Sequence, residues 1–215
     1  MKAKGKVKIK WSPKFSYAIG LLTTDGCLSK DGRHIDFTSK DLDLIKIFSF
    51  CLGLKNKIGI KISGSGRQCG RVQFGDVIFY RFLMGLGLTP EKSKTMSDLD
   101  IPEKYFFDFL RGHFDGDGTF YSYYDPRWKN SFMFYTVFAS ASYDHLVWVR
   151  NMVFKLLKIK GHITHSKEHI VWSLKYAKKD SLKILKAMYY EKNITCLKRK
   201  HLKIKQVLGI IGMTI

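Results

Sequence analysis

Acidic residues are scarce in this sequence. Its 215 residues include 18 Asp and Glu against 38 Lys and Arg, which gives a formal net charge of +20. A positive charge of this size attracts polyanions and raises the rate at which they meet the protein. The imbalance makes nucleic acid the first partner to expect and an anionic membrane surface the second.

Long apolar runs are absent as well. No stretch reaches the roughly 18 apolar residues of a membrane-spanning helix, and the apolar tail over 207–215 is interrupted by Gly209 and Gly212. Residues 1–10 alternate lysine with small or apolar residues and lack the apolar stretch of a secretion signal. We therefore expect an intracellular protein, in a prokaryotic cytoplasm or nucleoid or in an organelle. Residues 1–11 are interpreted as a basic arm or a disordered, solubilising start.

Cysteine is equally rare. Cys27, Cys51, Cys69 and Cys196 form no CxxC pair and show no metal-ligand spacing. This argues against a zinc site or a disulfide framework and fits the reduced thiols of an intracellular protein. Apolar residues, at 45%, and aromatic residues, at 14%, are in contrast abundant enough for a well-packed core.

One segment of the sequence occurs twice. Residues 17–26 read YAIGLLTTDG and residues 109–118 read FLRGHFDGDG, so Asp25 aligns with Asp117 at an offset of 117 − 25 = 92 residues. At the same offset Gly20 aligns with Gly112. The duplication predicts two similar halves in one chain.

Both copies have the signals of a helix. Ser12-Pro13 places an N-cap residue before a proline in the first turn, and Asp100-Ile101-Pro102 repeats the arrangement. Each copy ends in an Asp-Gly pair, whose glycine can adopt the left-handed C-cap conformation.

The elements after each repeated helix also correspond. Turn signals and apolar alternation predict a hairpin, a helix, a second hairpin and a third helix in each half. In the first half these cover 28–38, 41–54, 58–74 and 77–88, and in the second half 120–140, 143–157, 161–174 and 179–190. The order α-β-β-α-β-β-α therefore occurs twice. We predict an α+β fold with two four-stranded antiparallel sheets, in halves that span 1–97 and 98–215.

The repeated glycine gives the two aspartates a possible role. Small residues at Gly20 and Gly112 allow two helices to pack backbone against backbone, and such packing would bring Asp25 and Asp117 together at the helix ends. Two adjacent carboxylates at helix C-termini repel each other and meet unfavourable dipoles, so the arrangement needs cations. Oxygen ligands with retained waters favour Mg²⁺. The alternative is that each Asp-Gly pair is an ordinary turn.

These two segments resemble the paired signatures of the LAGLIDADG homing endonucleases, and FDGDG over 114–118 is particularly typical. The resemblance covers roughly residues 12–206. It implies a pseudo-twofold pair of α-β-β-α-β-β-α halves, with the motif helices at their interface and both sheets forming a saddle over DNA. It also implies that Asp25 and Asp117 bind two or three divalent ions, with Mg²⁺ supporting cleavage and Ca²⁺ supporting binding alone.

Two motif positions depart from the family pattern in the second half. Arg111 and His113 stand where apolar residues are usual. We expect them on the outer face of the motif helix, although residues two apart cannot share one face.

The resemblance also implies a catalytic lysine after the third helix of each half. Lys92 matches that position in the first half. In the second half the run over 197–201 offers Lys200, with Lys198 as the alternative because the register is open. Each of these lysines could instead be an ordinary solvated charge.

Sequence readout is expected from the sheets, because an antiparallel ribbon fits the major groove and presents alternate side chains to base edges. Leu28, Ile35 and Phe37 are predicted to point inward. The strand over 132–138 is apolar on both faces, so its DNA side stays open. Trp128 either contacts DNA or covers the sheet edge. The candidate DNA contacts are Ser29, Arg33, His34, Asp36, Thr38, Lys61, Ser63, Arg67, Gln68, Arg71, Gln73, Tyr121, Tyr123, Arg127, Trp128 and Lys129.

The predicted activity is therefore that of a monomeric endonuclease, without an obligate protein partner or a membrane, that cuts a long non-palindromic duplex. By analogy it is expected to be intron-encoded. The alternative is a non-cleaving nucleic-acid binder of the same fold, such as an RNA-splicing maturase or a DNA-binding regulator. A basic structural protein, such as a ribosomal component, would explain the charge but not the paired motifs.

Overall fold

The computed structural model describes residues 5–62, 66–128, 131–165 and 171–215. Two similar sets of elements follow each other along the chain, and a further helix ends it. In chain order they are α1 (Pro13–Asp25), β1 (Gly26–Leu28), β2 (His34–Ser39), α2 (Leu42–Leu52), β3 (Gly59–Ile62), β4 (Gln68–Gly75), α3 (Val77–Gly85), a 3-10 turn (Glu103–Tyr105), α4 (Phe106–Asp117), β5 (Thr119–Tyr124), β6 (Phe132–Ser140), α5 (Tyr143–Leu157), β7 (His162–His165), β8 (Trp172–Ala177), α6 (Lys178–Met188) and α7 (Lys198–Ile210).

The strands form two four-stranded antiparallel sheets with the same topology. The first has the order β1-β2-β4-β3 and the second β5-β6-β8-β7. Helices α1 and α2 cover one face of the first sheet, and α4, α5 and α6 cover one face of the second. The predicted α+β fold with two duplicated halves is therefore confirmed.

The motif helices α1 and α4 pack directly against each other at the centre. A Cβ atom added to Gly20 would lie 2.1 Å from the carbonyl oxygen of Phe109. One added to Gly112 would lie 2.0 Å from the carbonyl oxygen of Tyr17. Only glycine leaves room for backbones this close, so the repeated glycine has the steric role that its spacing predicted.

The helix ends differ in part from the prediction. Ser12 caps α1 as expected, accepting a hydrogen bond from the Phe15 amide at 3.2 Å. The second copy was predicted wrongly, because Pro102 starts a 3-10 turn and α4 begins only at Phe106.

The motif glycines are not left-handed caps. Gly26 has φ −87° and Gly118 has φ −76°, which is extended backbone that any residue can adopt. A Cβ on either would instead lie 2.6 Å from the carbonyl oxygen of Leu22 or Phe114, respectively. Glycine is needed here because the chain turns from helix into strand without room for a side chain.

Helix α7 was not part of the predicted order. It covers the basic run that begins at Lys198 and continues into the apolar tail, with Ile204, Val207 and Leu208 buried. The third helices also end earlier than predicted, at Gly85 and Met188. Among the helices described, none has the length and apolar character needed to cross a membrane.

Replacing Gly20 by alanine should strongly destabilise the protein. The new methyl group would overlap the backbone of α4, and we expect a loss of about 3 kcal/mol or more in the free energy of unfolding, or failure to fold. Gly209→Ala is the matched control, because Gly209 is a glycine inside α7 with open space around it. It should stabilise the protein by up to ~1 kcal/mol. Urea denaturation measures both, and equal effects would contradict the packing argument.

Candidate metal centre and nucleic-acid interface

The packing of α1 on α4 brings the ends of the two motif helices together. A Cβ added to Gly116 would lie 2.0 Å from the Oγ1 atom of Thr24, so the residues just before the two aspartates touch. Asp25 is the last residue of α1 and Asp117 the last residue of α4. The two carboxylates are therefore neighbours at one end of the helix pair, as the duplication predicted.

The charges at this end are poorly compensated by the protein itself. Burial and, secondly, the negative charge of Asp117 together raise the pKa of Asp25 to about 6, against the opposing effect of Lys200 and Lys92. Asp117 is exposed. The side chains thus form an acidic site that opens to solvent and favours a cation.

Lys92 lies beside the first aspartate. Only 5% of the residue is exposed, and its Nζ atom donates a hydrogen bond to the carbonyl oxygen of Gly26. Burial lowers the pKa of Lys92, while the nearby Cys27, Asp117 and Asp25 oppose that shift. A lysine held in this way is not the solvated surface charge that the alternative interpretation described.

Lys200 occupies the matching position in the second half. Its Nζ atom donates hydrogen bonds to the carbonyl oxygens of Phe114 and Gly118, both at 2.7 Å, and of Gly116 at 3.2 Å. Burial lowers the pKa of Lys200 to about 8, against the effect of neighbouring acidic groups that include Asp115. Lys198 is exposed at the start of α7, so the geometry favours Lys200 over Lys198.

The two lysines follow the pseudo-twofold relation of the halves. Lys92 contacts the glycine after Asp25, and Lys200 contacts the glycine after Asp117. Each half therefore contributes one carboxylate and one amino group to the same centre. This is a composition suited to a phosphate together with a metal ion.

Sequence reasoning missed Asp115, a further buried group that organises the centre. Its Oδ2 atom accepts hydrogen bonds from the Tyr17 hydroxyl and from the Leu197 amide, both at 2.7 Å. Leu197 is the N-cap residue of α7, so Asp115 holds α7, and with it Lys200, against both motif helices. The sequence signal was the extra carboxylate in FDGDG, which had no counterpart in the first copy.

The prediction for Arg111 and His113 was wrong, because both are buried. The Arg111 guanidinium donates to Asp108 Oδ1 at 2.7 Å and to the carbonyl oxygens of Thr195 and Met188. Its charge is thus paired and it satisfies the carbonyl at the end of α6. The helix has no free outer face here, since α1 covers one side and the second half covers the other.

His113 stacks on His145, with ring centroids 5.2 Å apart and planes at 6°. Burial lowers the pKa of both imidazoles, to about 3 for His145. The pair is therefore neutral at pH 7 and acts as packing beneath the acidic centre.

The donor set at the centre fits a hard divalent ion. The described residues include no cluster of three or more His, Cys, Asp or Glu side chains that could hold a metal. Mg²⁺ commonly binds through one or two carboxylates and takes its remaining ligands from water and phosphate. Asp25 and Asp117 supply two such carboxylates, and a bound cation would reduce the repulsion between them.

The uncovered face of the first sheet, its outer face, is rich in hydrogen-bonding groups. Ile35 and Phe37 point to the helices, as predicted, so their neighbours lie on the outer face. The strand register places Cys27, His34, Asp36, Thr38, Lys61, Cys69, Arg71 and Gln73 there. Asp36 forms an ion pair with Arg71 and accepts a hydrogen bond from Thr38 at 2.8 Å. This face therefore presents hydrogen-bond donors and acceptors, and it carries both positively and negatively charged side chains.

The remaining predicted contacts of the first half lie at the sheet ends. Ser29 and Arg33 are in the β1–β2 turn, and Arg67 precedes β4. Gln68 shares the register of Gly70 and so belongs to the helix-covered side of the strand. Ser63 lies outside the described residues.

The outer face of the second sheet is built differently. The register places Thr119, Tyr121, Tyr123, Met133, Tyr135, Val137, Ala139, His162, Thr164, Ser173, Lys175 and Ala177 there. Phe132, Phe134 and Phe138 are buried under the helices, which decides the face that sequence periodicity left open. The sequence analysis did not identify Tyr135 and Lys175 as residues of this face. Tyr135 lies there because it pairs with Tyr121, and Lys175 because it pairs with Val137. The periodicity of a single strand does not indicate such pairing.

The β5–β6 turn carries the last predicted contacts. Arg127 is exposed and pairs with Asp125 at 2.8 Å. Trp128 is 69% exposed, which does not fit a side chain that covers the sheet edge. Lys129 lies outside the described residues.

The fold matches known structures although no protein-family model and no curated protein matches the chain. Full-length DUF199/WhiA from Thermatoga maritima matches with a TM-score of 0.58 at 15% identity, over 97% of this chain and 64% of that one. I-DmoI in complex with DNA and Mn matches with a TM-score of 0.54 at 19% identity, and the match covers 84% of this chain and 98% of that one. The LAGLIDADG homing endonuclease I-LtrWI, bound to target DNA, matches with a TM-score of 0.58 at 11% identity, and the match covers 93% of this chain and 90% of that one. The chain therefore has the LAGLIDADG fold.

Replacing Asp25 by asparagine should stabilise the metal-free protein at pH 8. The folded-state pKa of about 6 lies above the ordinary 3.8. The ionised Asp25 carboxylate therefore destabilises the folded protein above pH 6, and protonation restores the lost stability as the pH falls toward 4. We expect a gain of roughly 1–3 kcal/mol at pH 8 that disappears near pH 4. Thermal unfolding in a chelator measures it, with the exposed Asp98→Asn as control. A less stable variant at pH 8 would contradict the charge repulsion.

Proposed function

From a chain with the LAGLIDADG fold and two adjacent motif aspartates, we propose a site-specific double-stranded DNA endonuclease that depends on a divalent ion. The observation that supports the proposal most is the composite centre. Asp25 and Asp117 come from different halves, and each is accompanied by a buried lysine that contacts the following glycine. A fold without chemistry at this position has no need of two repelling carboxylates and two desolvated amino groups.

The proposed reaction divides between the ions and the chain. Divalent ions bound by Asp25 and Asp117 would polarise the scissile phosphate and lower the pKa of bound water. Lys92 and Lys200 would hold positive charge next to the phosphate, where negative charge grows in the transition state. Their hydrogen bonds to backbone carbonyls fix the two Nζ atoms, so this charge is preorganised before the substrate arrives.

The rest of the proposal concerns the target. Both carboxylates lie on one chain, so a monomer contains a complete centre and needs no twofold symmetry in its DNA. The two outer faces differ in chemistry, which favours a non-palindromic duplex. I-LtrWI and I-DmoI were crystallised with DNA, the latter with Mn as well, and this supports DNA and a divalent ion as partners here. Intron homing and an intracellular setting remain part of the proposal.

A non-cleaving nucleic-acid binder is the second candidate. The match to WhiA covers 97% of the chain and is as close in TM-score as the match to I-LtrWI, so the fold by itself does not choose between them. A binder would use the outer faces in the same way. Only a cleavage experiment separates the two functions.

Asparagine at either motif position should remove cleavage and leave binding intact. Each substitution removes a charge where a divalent ion would sit, whereas the outer faces lie on other elements. We expect single-turnover cleavage in Mg²⁺ to fall at least about 10³-fold for Asp25→Asn and Asp117→Asn. Affinity measured in Ca²⁺ should stay within a few fold of the wild-type value or rise.

The lysines provide a matched pair of variants for the same assay. Lys200→Met should slow cleavage by about 10- to 10³-fold with little change in binding, because its charge acts on the transition state. Lys198→Met, two residues earlier and exposed, should leave the rate unchanged. Lys92→Ala should behave like the Lys200 variant. Full cleavage by either asparagine variant would contradict the metal role, and a wild-type protein that binds a duplex without cutting it would favour the second candidate.

The formal charge of +20 predicts a steep dependence of DNA affinity on salt. If about 8–10 phosphates are neutralised, log K should fall against log[salt] with a slope of roughly −7 to −9. Fluorescence anisotropy over a series of salt concentrations in Ca²⁺ gives the slope. An affinity that hardly changes with salt would contradict contact between the two sheets and a DNA backbone.

A further inference from the structure

The two outer faces differ in the hairpin that follows each motif helix, β1–β2 in the first sheet and β5–β6 in the second. Asp36 and Arg71 are adjacent on the first outer face, where the Asp36 carboxylate and the Arg71 guanidinium form an ion pair. In the equivalent hairpin of the second sheet, β5–β6, the outer face instead carries three tyrosines, Tyr121, Tyr123 and Tyr135, with Met133 in register with Tyr123. Lys175 on β8 also lies on the second outer face, but the side chains that β5 and β6 contribute to it are neutral and largely aromatic or aliphatic.

The three tyrosine rings form one continuous surface. Tyr121 and Tyr135 have ring centroids 5.3 Å apart, Tyr123 and Tyr135 6.2 Å, and Tyr121 and Tyr123 6.5 Å. Their planes differ by 1–16°, so the rings stand in parallel. Neighbours restrict each ring, which makes this a preorganised surface rather than three independent side chains.

This surface is positioned to meet bases and not only phosphates. It lies on β5 and β6, and β5 begins two residues after Asp117, so it starts next to the proposed cutting site. Tyr123 is 41% exposed, so part of the surface is open to a ligand. Exposed aromatic rings in this arrangement are expected to contact an apolar group of the DNA, and that group must be accessible in a groove.

Thymine supplies such a partner. The C5 methyl group of thymine is the apolar feature of the major groove, and apolar side chains contact it. Tyrosine hydroxyls at the rim can also donate to, or accept from, base edges. Guanine offers two acceptors there, which suit arginine or lysine. Arg71 and Lys61 provide such donors on the first outer face, whereas β5 and β6 contribute neither residue type to the second.

We infer that the second sheet recognises thymine methyl groups in its half of the target, whereas the first sheet recognises its half through hydrogen bonds. The inference rests on the proposed DNA-binding function and not on cleavage. It makes Tyr121, Tyr123 and Tyr135 determinants of specificity for one half-site.

Uracil in place of thymine tests this directly, because it removes only the methyl group. The probe is the duplex that the protein selects from a randomised library in Ca²⁺, with uracil placed in one half-site at a time. We expect one half-site to lose about fourfold in affinity per contacted thymine, which corresponds to the ~0.8 kcal/mol of one buried methylene. The other half-site should be insensitive.

Two variants assign the sensitive half-site to a sheet. Tyr121→Ser/Tyr123→Ser/Tyr135→Ser should abolish the uracil effect, and Tyr123→Ser, at the most exposed of the three, should reduce it if the triple variant does not fold. Arg71→Ala/Gln73→Ala, on the first outer face, is the matched control and should leave the uracil effect unchanged.

The inference is overturned if both half-sites tolerate uracil, if the effect persists without the tyrosines, or if the selected half-sites lack thymine. A protein that selects no duplex overturns the proposed function as well, whereas selective binding without cleavage leaves the inference standing.

Discussion

The backbones of α1 and α4 touch at Gly20 and Gly112, and the remaining architecture depends on that contact. Because no side chain separates the helices, their ends meet, and the two halves are held in a pseudo-twofold arrangement. A larger residue at either glycine would move the aspartates apart as well as destabilise the core.

Close packing of the helices creates an electrostatic cost that the chain only partly offsets. Asp25 and Asp117 face each other at two helix C-termini, where the dipoles are also unfavourable. Lys92 and Lys200 reduce the repulsion, but their Nζ atoms are directed to backbone carbonyls rather than to the carboxylates themselves. The acidic charge is therefore left available to a cation, and the lysines are left in position for a phosphate.

The two halves reach similar geometry by different means. In the first half Lys92 lies in a turn after α3, whereas in the second half Lys200 lies on α7, which Asp115 holds through the Leu197 amide. Arg199 at the start of α7 also bonds Asp41, the N-cap residue of α2 in the first half. This helix therefore links the second lysine to both halves. A similar divergence separates the outer faces, which share topology but not chemistry.

The sequence by itself determined the duplication, the order of most elements and the two aspartates. These depend on local signals, namely glycine and aspartate at a fixed spacing, turn residues, and apolar periodicity. It did not determine the environments of Arg111 and His113, the role of Asp115, the helix α7, or the face of β6 that carries Tyr135. Each of these depends on a partner more than 10 residues away along the chain, such as Met188 for Arg111 and Leu197 for Asp115. Local periodicity contains no information on which distant element covers a given face, and only tertiary packing decides that.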